Sequence, residues 1–460
     1  MRQEISEETA QLASFVASAR STDLPPAVAE KGAVHVVDTV AAVVSGALLP
    51  PGERGAAYVR GLGGRPVASV IGTDLRTDAV SAALANGMSA HADETDDSHP
   101  ASISHPGCSV VPAALAVAES LGSTGEELLR AVVAGYDVGP RVVLALGQPR
   151  LDTESSGRST HAMVSLFGAT AAAAVLHGLD EQGVRHALSY AAQSASGVTS
   201  WVRDGNHVEK AFVFAGMPAS DGVRAAAMVA SGCDGVDDVF AGVPNFLDAL
   251  SGDVHRDRLV SGLGERYEVM QTNIKKFAVG SPAQAAVQAA LDILAEGPVD
   301  PDAVESIEIV LPHDLARVVD GRDMPDINCQ YLVIGTLLDG AFSFAMAHDD
   351  ARMRSPQVQA LMARTTLRPD PEKAGVRTAD LTVRTSDRGV LHRFVPAVRG
   401  TVDDPMSRGE VHDKALDLLL PSLGDERAGR LLEQLWSLGD VADVRGLVPL
   451  MQSDRAGGRS

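Results

Sequence analysis

The chain has 460 residues, 45% hydrophobic but only 4% aromatic, and 44 of them are glycine, a composition suited to closely packed helices of small residues. Its formal charge of −21 excludes a surface built to hold phosphates, which needs clustered Lys and Arg, so no nucleic-acid partner is expected. No apolar run approaches the roughly 20 residues of a bilayer span, and the first residues lack a signal-peptide core; no membrane contact and a cytoplasmic location are therefore expected. The three cysteines, Cys108, Cys233 and Cys329, form no CxxC pair and read as reduced thiols.

This length exceeds what one hydrophobic core usually serves, so two domains are expected. Helical periodicity runs through Glu8 to Phe15, Val34 to Leu48, Val80 to Ala90, Val110 to Ala118, Glu127 to Leu146, His161 to His177 and Asp221 to Ala230. The first 270 or so residues thus read as almost wholly α. After about Thr272 the pattern changes: Ser306 to Leu311 alternates as a strand, and Asp380 to Arg384 pairs with Val390 to Phe394 across a turn from Thr385 to Gly389. Helices at Pro282 to Ala295 and Gln330 to Phe344 share this segment, which makes it α+β. Helical pattern returns at His412 to Leu420 and Asp425 to Leu438, and the tail from Asp454 to Ser460 reads as disordered. The predicted architecture is mainly α: a large all-α helical domain formed by both chain ends, residues 1–272 and 401–460, with a smaller α+β domain inserted at 273–400.

Chemistry concentrates in one place. His91 to His105, HADETDDSHPASISH, holds three histidines and four acids between two apolar helices, and Pro106-Gly107 follows. A polar loop between buried helices is a common position for an active site. Lysine is scarce: six residues, among them Lys210 in an apolar context and the Lys275-Lys276 pair before Gly280-Ser281-Pro282, against an arginine-dominated remainder. An ammonium at either place is suited to a substrate carboxylate.

The order of motifs resembles the MmgE/PrpD family. The resemblance rests on NGMSAHADETDDSHPASISHPG, VVPAALAVAES, FGATAAAAVLHGLDEQ with AAQSASG, the Lys210 to Gly222 segment, IKKF at Ile274 to Phe277 and NCQYLVIGTLLDG at Asn328 to Gly340, and so covers nearly the whole chain. It implies a helical domain with a smaller α+β lid, a homodimer, and a site between the domains that uses no cofactor and no metal. Carried over residue by residue, it places His91, Asp96, Asp97, Ser98 and His105 on the first motif, Lys210 on the middle lysine, Lys275 on the lysine of IKKF and Tyr331 on the tyrosine of the lid. Several positions depart from the family pattern. Glu94 stands where Asp is usual, Ser159 occupies a histidine position with His161 two residues later, Lys210 is one residue further from Gly216, Gln284 replaces a histidine, and Asn328 a serine.

The activity implied is removal of a proton α to a carboxylate of a small polycarboxylate, with dehydration first, and decarboxylation or epimerisation as alternatives. Such a reaction passes through a dianionic, enolate-like state that needs nearby cations or donors, for which Lys210, Lys275, Arg203 and His105 are candidates. Glu94, His105 or His161 is the expected base, and Tyr331 or a histidine the acid. His91, Asp96, Asp97, Ser98, Ser159, Arg203, Lys276 and Gln284 complete the expected substrate-binding set. Two other readings stay open at this point: a metal site drawn from His91, Asp93, Asp96, Asp97, His99 and His105, and a non-catalytic carboxylate binder or scaffold. No GxSxG elbow, Walker A sequence or complete dinucleotide fingerprint is present.

Overall fold

The computed structural model describes residues 5–147 and 157–452. The expected disordered tail lies outside these residues. The chain is mainly helical with a small sheet, and forms two compact units: one of Met1–Ala92, Asp96–Asn273 and Arg408–Ser460, the other of Ile274–Ser407 together with the tripeptide Asp93–Thr95.

The first unit is built on helices α1 (Glu7–Ala19), α2 (Pro26–Gly46), α3 (Pro50–Leu62), α4 (Ala79–Ala90), α5 (Gly107–Leu121), α6 (Gly125–Ala145), α7 (Thr160–His177), α8 (Glu181–Ser194), α9 (Val208–Ala211) and α10 (Met217–Ala230). Their starts follow local chemistry. Thr124 and Glu127 form a reciprocal capping box at α6, while Asp78 and Asp180 accept from Ser81 and Gly183 at α4 and α8. The high glycine content has a packing reason where α6 crosses α7: a Cβ on Gly139 would lie 2.3 Å from the Val164 carbonyl oxygen, and one on Gly135 2.7 Å from that of Gly168. Backbones touch here, which no larger residue permits. Helix α7 is long and apolar enough for a membrane span, but 89% of it is buried in the protein, as befits a core helix.

The C-terminal helical stretch Arg408–Trp436 belongs to this unit and is broken at Gly424 (φ 69°, ψ 170°), three residues after Pro421, which accounts for the two separate periodic segments in the sequence. A buried ion pair, Lys414 Nζ to Asp38 Oδ1 at 2.7 Å, ties it to α2. One correction to the all-α expectation is a short antiparallel pair, β1 (Ala68–Ser69) with β2 (Arg76–Thr77); two residues per strand are too few to leave an alternating pattern.

In the second unit the sheet order is β4-β3-β5-β6, with β3 (Val304–Pro312), β4 (Thr365–Asp370), β5 (Ala379–Thr385) and β6 (Gly389–Val395). The β5–β6 hairpin has the expected register, Asp380 opposite Phe394 and Arg384 opposite Val390, and Gly389 supplies the left-handed residue of its turn (φ 74°). Along β5, Ala379, Leu381, Val383 and Thr385 are buried in alternation, and the first three join a core with Val287 and Ile293 of the helix Gln284–Leu294 and Ile334 of Cys329–Asp339. Strand β4, parallel to β3, escaped sequence reading because only Leu367 of its six residues is buried; it is an edge strand, where Pro369 is tolerated. The helix expected to reach Phe344 ends at Asp339 with Gly340 left-handed (φ 68°), and Ser343 caps a separate turn, Phe344–Ala347.

Candidate active site

The loop after α4 is pinned within the first unit by its own polar groups. His91 is the C-cap of α4. Ser98 and Asn273 exchange backbone hydrogen bonds of 3.0 and 2.8 Å, and His99 and Ser104 do the same at 2.8 and 3.3 Å. His99 Nδ1 accepts from the Ser102 amide, so its Nε2–H is the donor to Glu268 (3.1 Å). Ile103 takes a left-handed φ of 47°, costly for a β-branched residue, and its carbonyl is held by the Thr160 hydroxyl at 2.8 Å. His99 is thus a buried structural residue.

Around this frame the first unit gathers four imidazoles and two aromatic side chains. Phe214 stacks on His161 (centroids 3.8 Å apart) and on His91 (4.5 Å), with His105 at 5.7 Å and Trp201 edge-on at 4.6 Å. His91 is 5.3 Å from His105 and 5.2 Å from His207, and His105 is 5.2 Å from His161. Asp96 Oδ2 lies 3.0 Å from His91 Nδ1 and 3.4 Å from His105 Nδ1. Lys210 Nζ sits over the rings of Phe214 (5.2 Å) and Trp201 (5.7 Å), a cation–π placement for an ammonium that is 8% exposed.

Local backbone explains how these groups meet. Residues Phe212–Gly216 form a π-helical turn between α9 and α10. A π turn inserts one residue into a helix, and such turns are frequent at functional sites. His161, in the first turn of α7, reaches the ring cluster, whereas Ser159 is the N-cap of that helix and its hydroxyl accepts from the Ala162 amide.

In the second unit, Lys275 Nζ donates to the Glu94 carbonyl oxygen (3.0 Å) and lies 3.5 Å from Glu94 Oε2, both side chains being buried. Beside Glu94 in the chain, Asp93 Oδ2 is 3.2 Å from His348 Nε2, while His348 Nδ1 donates to the Phe344 carbonyl at 2.8 Å. Burial alone would depress the His348 imidazole, but the hydrogen bond and charge of Asp93 outweigh it and push the group up to about 9, an imidazolium with both N–H groups engaged. The same partners hold Asp93 below the usual carboxylate range despite its burial.

Several expected site residues are used otherwise. Asp97 is fully buried: His35 Nδ1 (2.9 Å) and the Tyr136 hydroxyl (2.5 Å) donate to its Oδ2 and the Gly107 amide (3.1 Å) to its Oδ1, leaving little of the carboxylate for a substrate. Tyr331 is a core residue whose hydroxyl donates to the Met346 and Asp349 carbonyls, and burial pushes it up to about 12, which makes it a poor proton donor. Gln284 holds a turn, accepting from the Phe277 amide and donating to the Phe277 and Val279 carbonyls. Lys276 donates to Gln288, Arg203 is exposed, and Asn328 caps its helix as a serine would. The Ser98 hydroxyl is buried with no hydrogen-bond partner among the described residues.

One ligand atom from each of His91, Asp96 and His105 lies within 4.8 Å of the others, which makes this trio the place for a divalent ion in the metal reading. The rest of that set is drawn off: Asp93 to His348, Asp97 to His35 and Tyr136, His99 to Glu268. Sequence reading missed His207, Phe214, Trp201 and His348. Phe214 and Trp201 look like core residues in an apolar stretch, and only the rarity of histidine, 13 in the chain, pointed to His207 and His348.

The mainly helical scaffold brings histidines, a carboxylate and a buried lysine together, groups suited to acid–base chemistry. The chain belongs to the MmgE/PrpD family: residues 10–258 match the MmgE/PrpD N-terminal domain and residues 277–438 the MmgE/PrpD C-terminal domain. It is 25% identical over 487 aligned residues to a cis-aconitate decarboxylase-like protein, oryM, of Aspergillus oryzae, covering 97% of each chain. It is 24% identical over 282 residues to a cis-aconitate decarboxylase of Aspergillus terreus, covering 59% of this chain and 56% of the relative. Together these place it among lyase-like proteins.

Proposed function

We propose that this protein is a lyase, needing no metal or organic cofactor, that forms a carbanion-like state next to a carboxylate of a small hydroxy- or unsaturated polycarboxylate. The observation that carries this reading is Lys210, an ammonium held on aromatic faces beside the His91, His105 and His161 imidazoles. A buried cation of this kind stabilises a developing dianion far more than water does, and the imidazoles move protons near neutral pH.

In the dehydration, the base takes the α-proton, the electron pair passes into the enolate and then into a new C=C bond, and hydroxide departs from the β-carbon as water after protonation. His105 Nε2 is the base candidate on this cluster, and His161 the acid. Glu94, on the same motif and ion-paired with Lys275, is the carboxylate alternative as base. His91, Asp96 and Ser98 orient the substrate. A second reading, decarboxylation of a cis-aconitate-type acid, is favoured by the names of the two relatives. There the C–C bond to the leaving carboxylate breaks, CO₂ is released, and the same histidines return a proton to the carbanion.

The test is proton NMR in D₂O with citrate, 2-methylcitrate, cis-aconitate and malate. A new vinyl signal or α-deuteration identifies dehydration or exchange, and CO₂ release with loss of one carboxylate identifies decarboxylation. Silence across the panel together with no ligand-induced rise in Tm counts against a lyase of this class.

A further inference from the structure

A buried polar network behind the loop takes no part in the chemistry just described. It joins three helices and the loop: His35 on α2, Tyr136 on α6, Gly107 at the start of α5, and Asp97. His35, Asp97 and Tyr136 are all fully buried. Polar groups withdrawn this far from water are tolerated only when satisfied, and Asp97 receives three donors. Burial raises its carboxyl, but the hydrogen bonds from His35, Tyr136 and Gly107 more than offset this and hold it ionised. Tyr136, driven well above its usual range by burial and by Asp97, keeps its proton and remains a donor.

Glycine is required at 107 for this arrangement, since a Cβ there would lie 2.5 Å from the Tyr136 hydroxyl and 2.8 Å from Asp97 Oδ2. The carboxylate is therefore fixed from three sides, and with it the backbone of residue 97. That backbone makes the functional contact: the Asp97 carbonyl oxygen lies 2.5 Å from His105 Nδ1. A carbonyl only accepts, so Nδ1 must carry the proton.

Resting on the function proposed above, we infer that His35 and Tyr136 are positioning residues which, through Asp97, hold His105 in the tautomer protonated at Nδ1 and leave Nε2 as the atom that exchanges protons with the substrate. The same logic operates wherever a buried acceptor fixes an imidazole from behind. Near His105 stand His91, Asp96, His161 and Phe214, and Asp96 Oδ2, 3.4 Å from Nδ1, is also an acceptor.

The experiment uses the full chain labelled with ¹⁵N-histidine, the His105 signals being assigned by their loss in His105→Gln. In the wild type, His105 is expected to show a protonated Nδ1 and an unprotonated Nε2 at pH above its titration; the opposite tautomer overturns the inference. Tyr136→Phe and His35→Leu are expected to mix the two tautomers and to lower kcat about 10- to 100-fold with KM within about twofold, the scale of a misplaced reacting group. His35→Asn, which keeps a donor near the Nδ1 position, should restore most of the rate. A kcat within about twofold of wild type in both Tyr136→Phe and His35→Leu also overturns it. Should the wild type turn over none of the acids tested, the functional reading is what fails, and the His105 tautomer in wild type and Tyr136→Phe still decides the network's role. If neither variant folds, the wild-type tautomer decides.

Discussion

Lys210 of the first unit rests on aromatic faces, whereas Lys275 of the second lies against a carboxylate. Lys210 lies over Phe214 and Trp201, and Lys275 is 3.5 Å from Glu94 Oε2 with both groups buried. A ring face attracts an ammonium without neutralising it. A buried carboxylate partner largely cancels the charge but makes each member dependent on the other. The two lysines are thus held by different kinds of contact, ring faces in one unit and a carboxylate in the other.

The largest effect expected from breaking this contrast is at Lys275. Lys275→Ala leaves Glu94 buried beside a lost partner and should destabilise the protein by about 3–5 kcal/mol while abolishing turnover. Adding Glu94→Gln should return most of the stability, read as Tm, but not the activity. A single variant with wild-type Tm and turnover would remove the pair from both roles.

Lys210→Met, by contrast, is expected to lower kcat about 10²- to 10³-fold with Tm nearly unchanged, because an apolar chain of similar length still packs on the rings. His161→Ala should cost about 10²-fold in kcat, the usual contribution of a proton-transfer group. Equal losses of stability at Lys210 and Lys275 would erase the distinction between the two regions.

How much of this was legible beforehand depends on what each residue's role leaves in the sequence. Helices such as Thr160–His177 announce themselves because one face or all faces are apolar over several turns, and the loop from His91 to His105 stands out by its density of ionisable groups. Direction is another matter. Asp96 and Asp97 are adjacent, yet one faces the histidine cluster and the other His35 and Tyr136, a difference set by the loop's backbone and by the glycine at 107. Tyr331 and Gln284 match or replace family positions and still direct their polar atoms to backbone groups. Phe214 was illegible for the opposite reason: its role comes from stacking against histidines distant in sequence and from a π turn that periodicity does not reveal.

The Asp93–His348 pair extends the comparison to pH. The folded-state His348 value of about 9 lies above the ordinary 6.5, so its contribution is fully present below about pH 6.5 and is lost as pH rises through 9. The shift corresponds to roughly 3 kcal/mol at most. Wild type should therefore lose more stability than His348→Gln between pH 6 and 9.5 in thermal unfolding; parallel pH profiles would show that the pair contributes nothing.

The smallest effect expected separates two neighbours that the family pattern confuses. Ser159 stands at the histidine position by counting, but it caps α7, and His161, one turn-start later, carries the imidazole to Phe214 and His105. Ser159→Ala should then cost about 0.5–1 kcal/mol of stability, the value of a weak N-cap, and leave kcat within about twofold. A fall in kcat as large as that of His161→Ala, without a matching fall in Tm, would instead place the serine hydroxyl against the substrate, so that the site would have two polar groups where the family pattern has one.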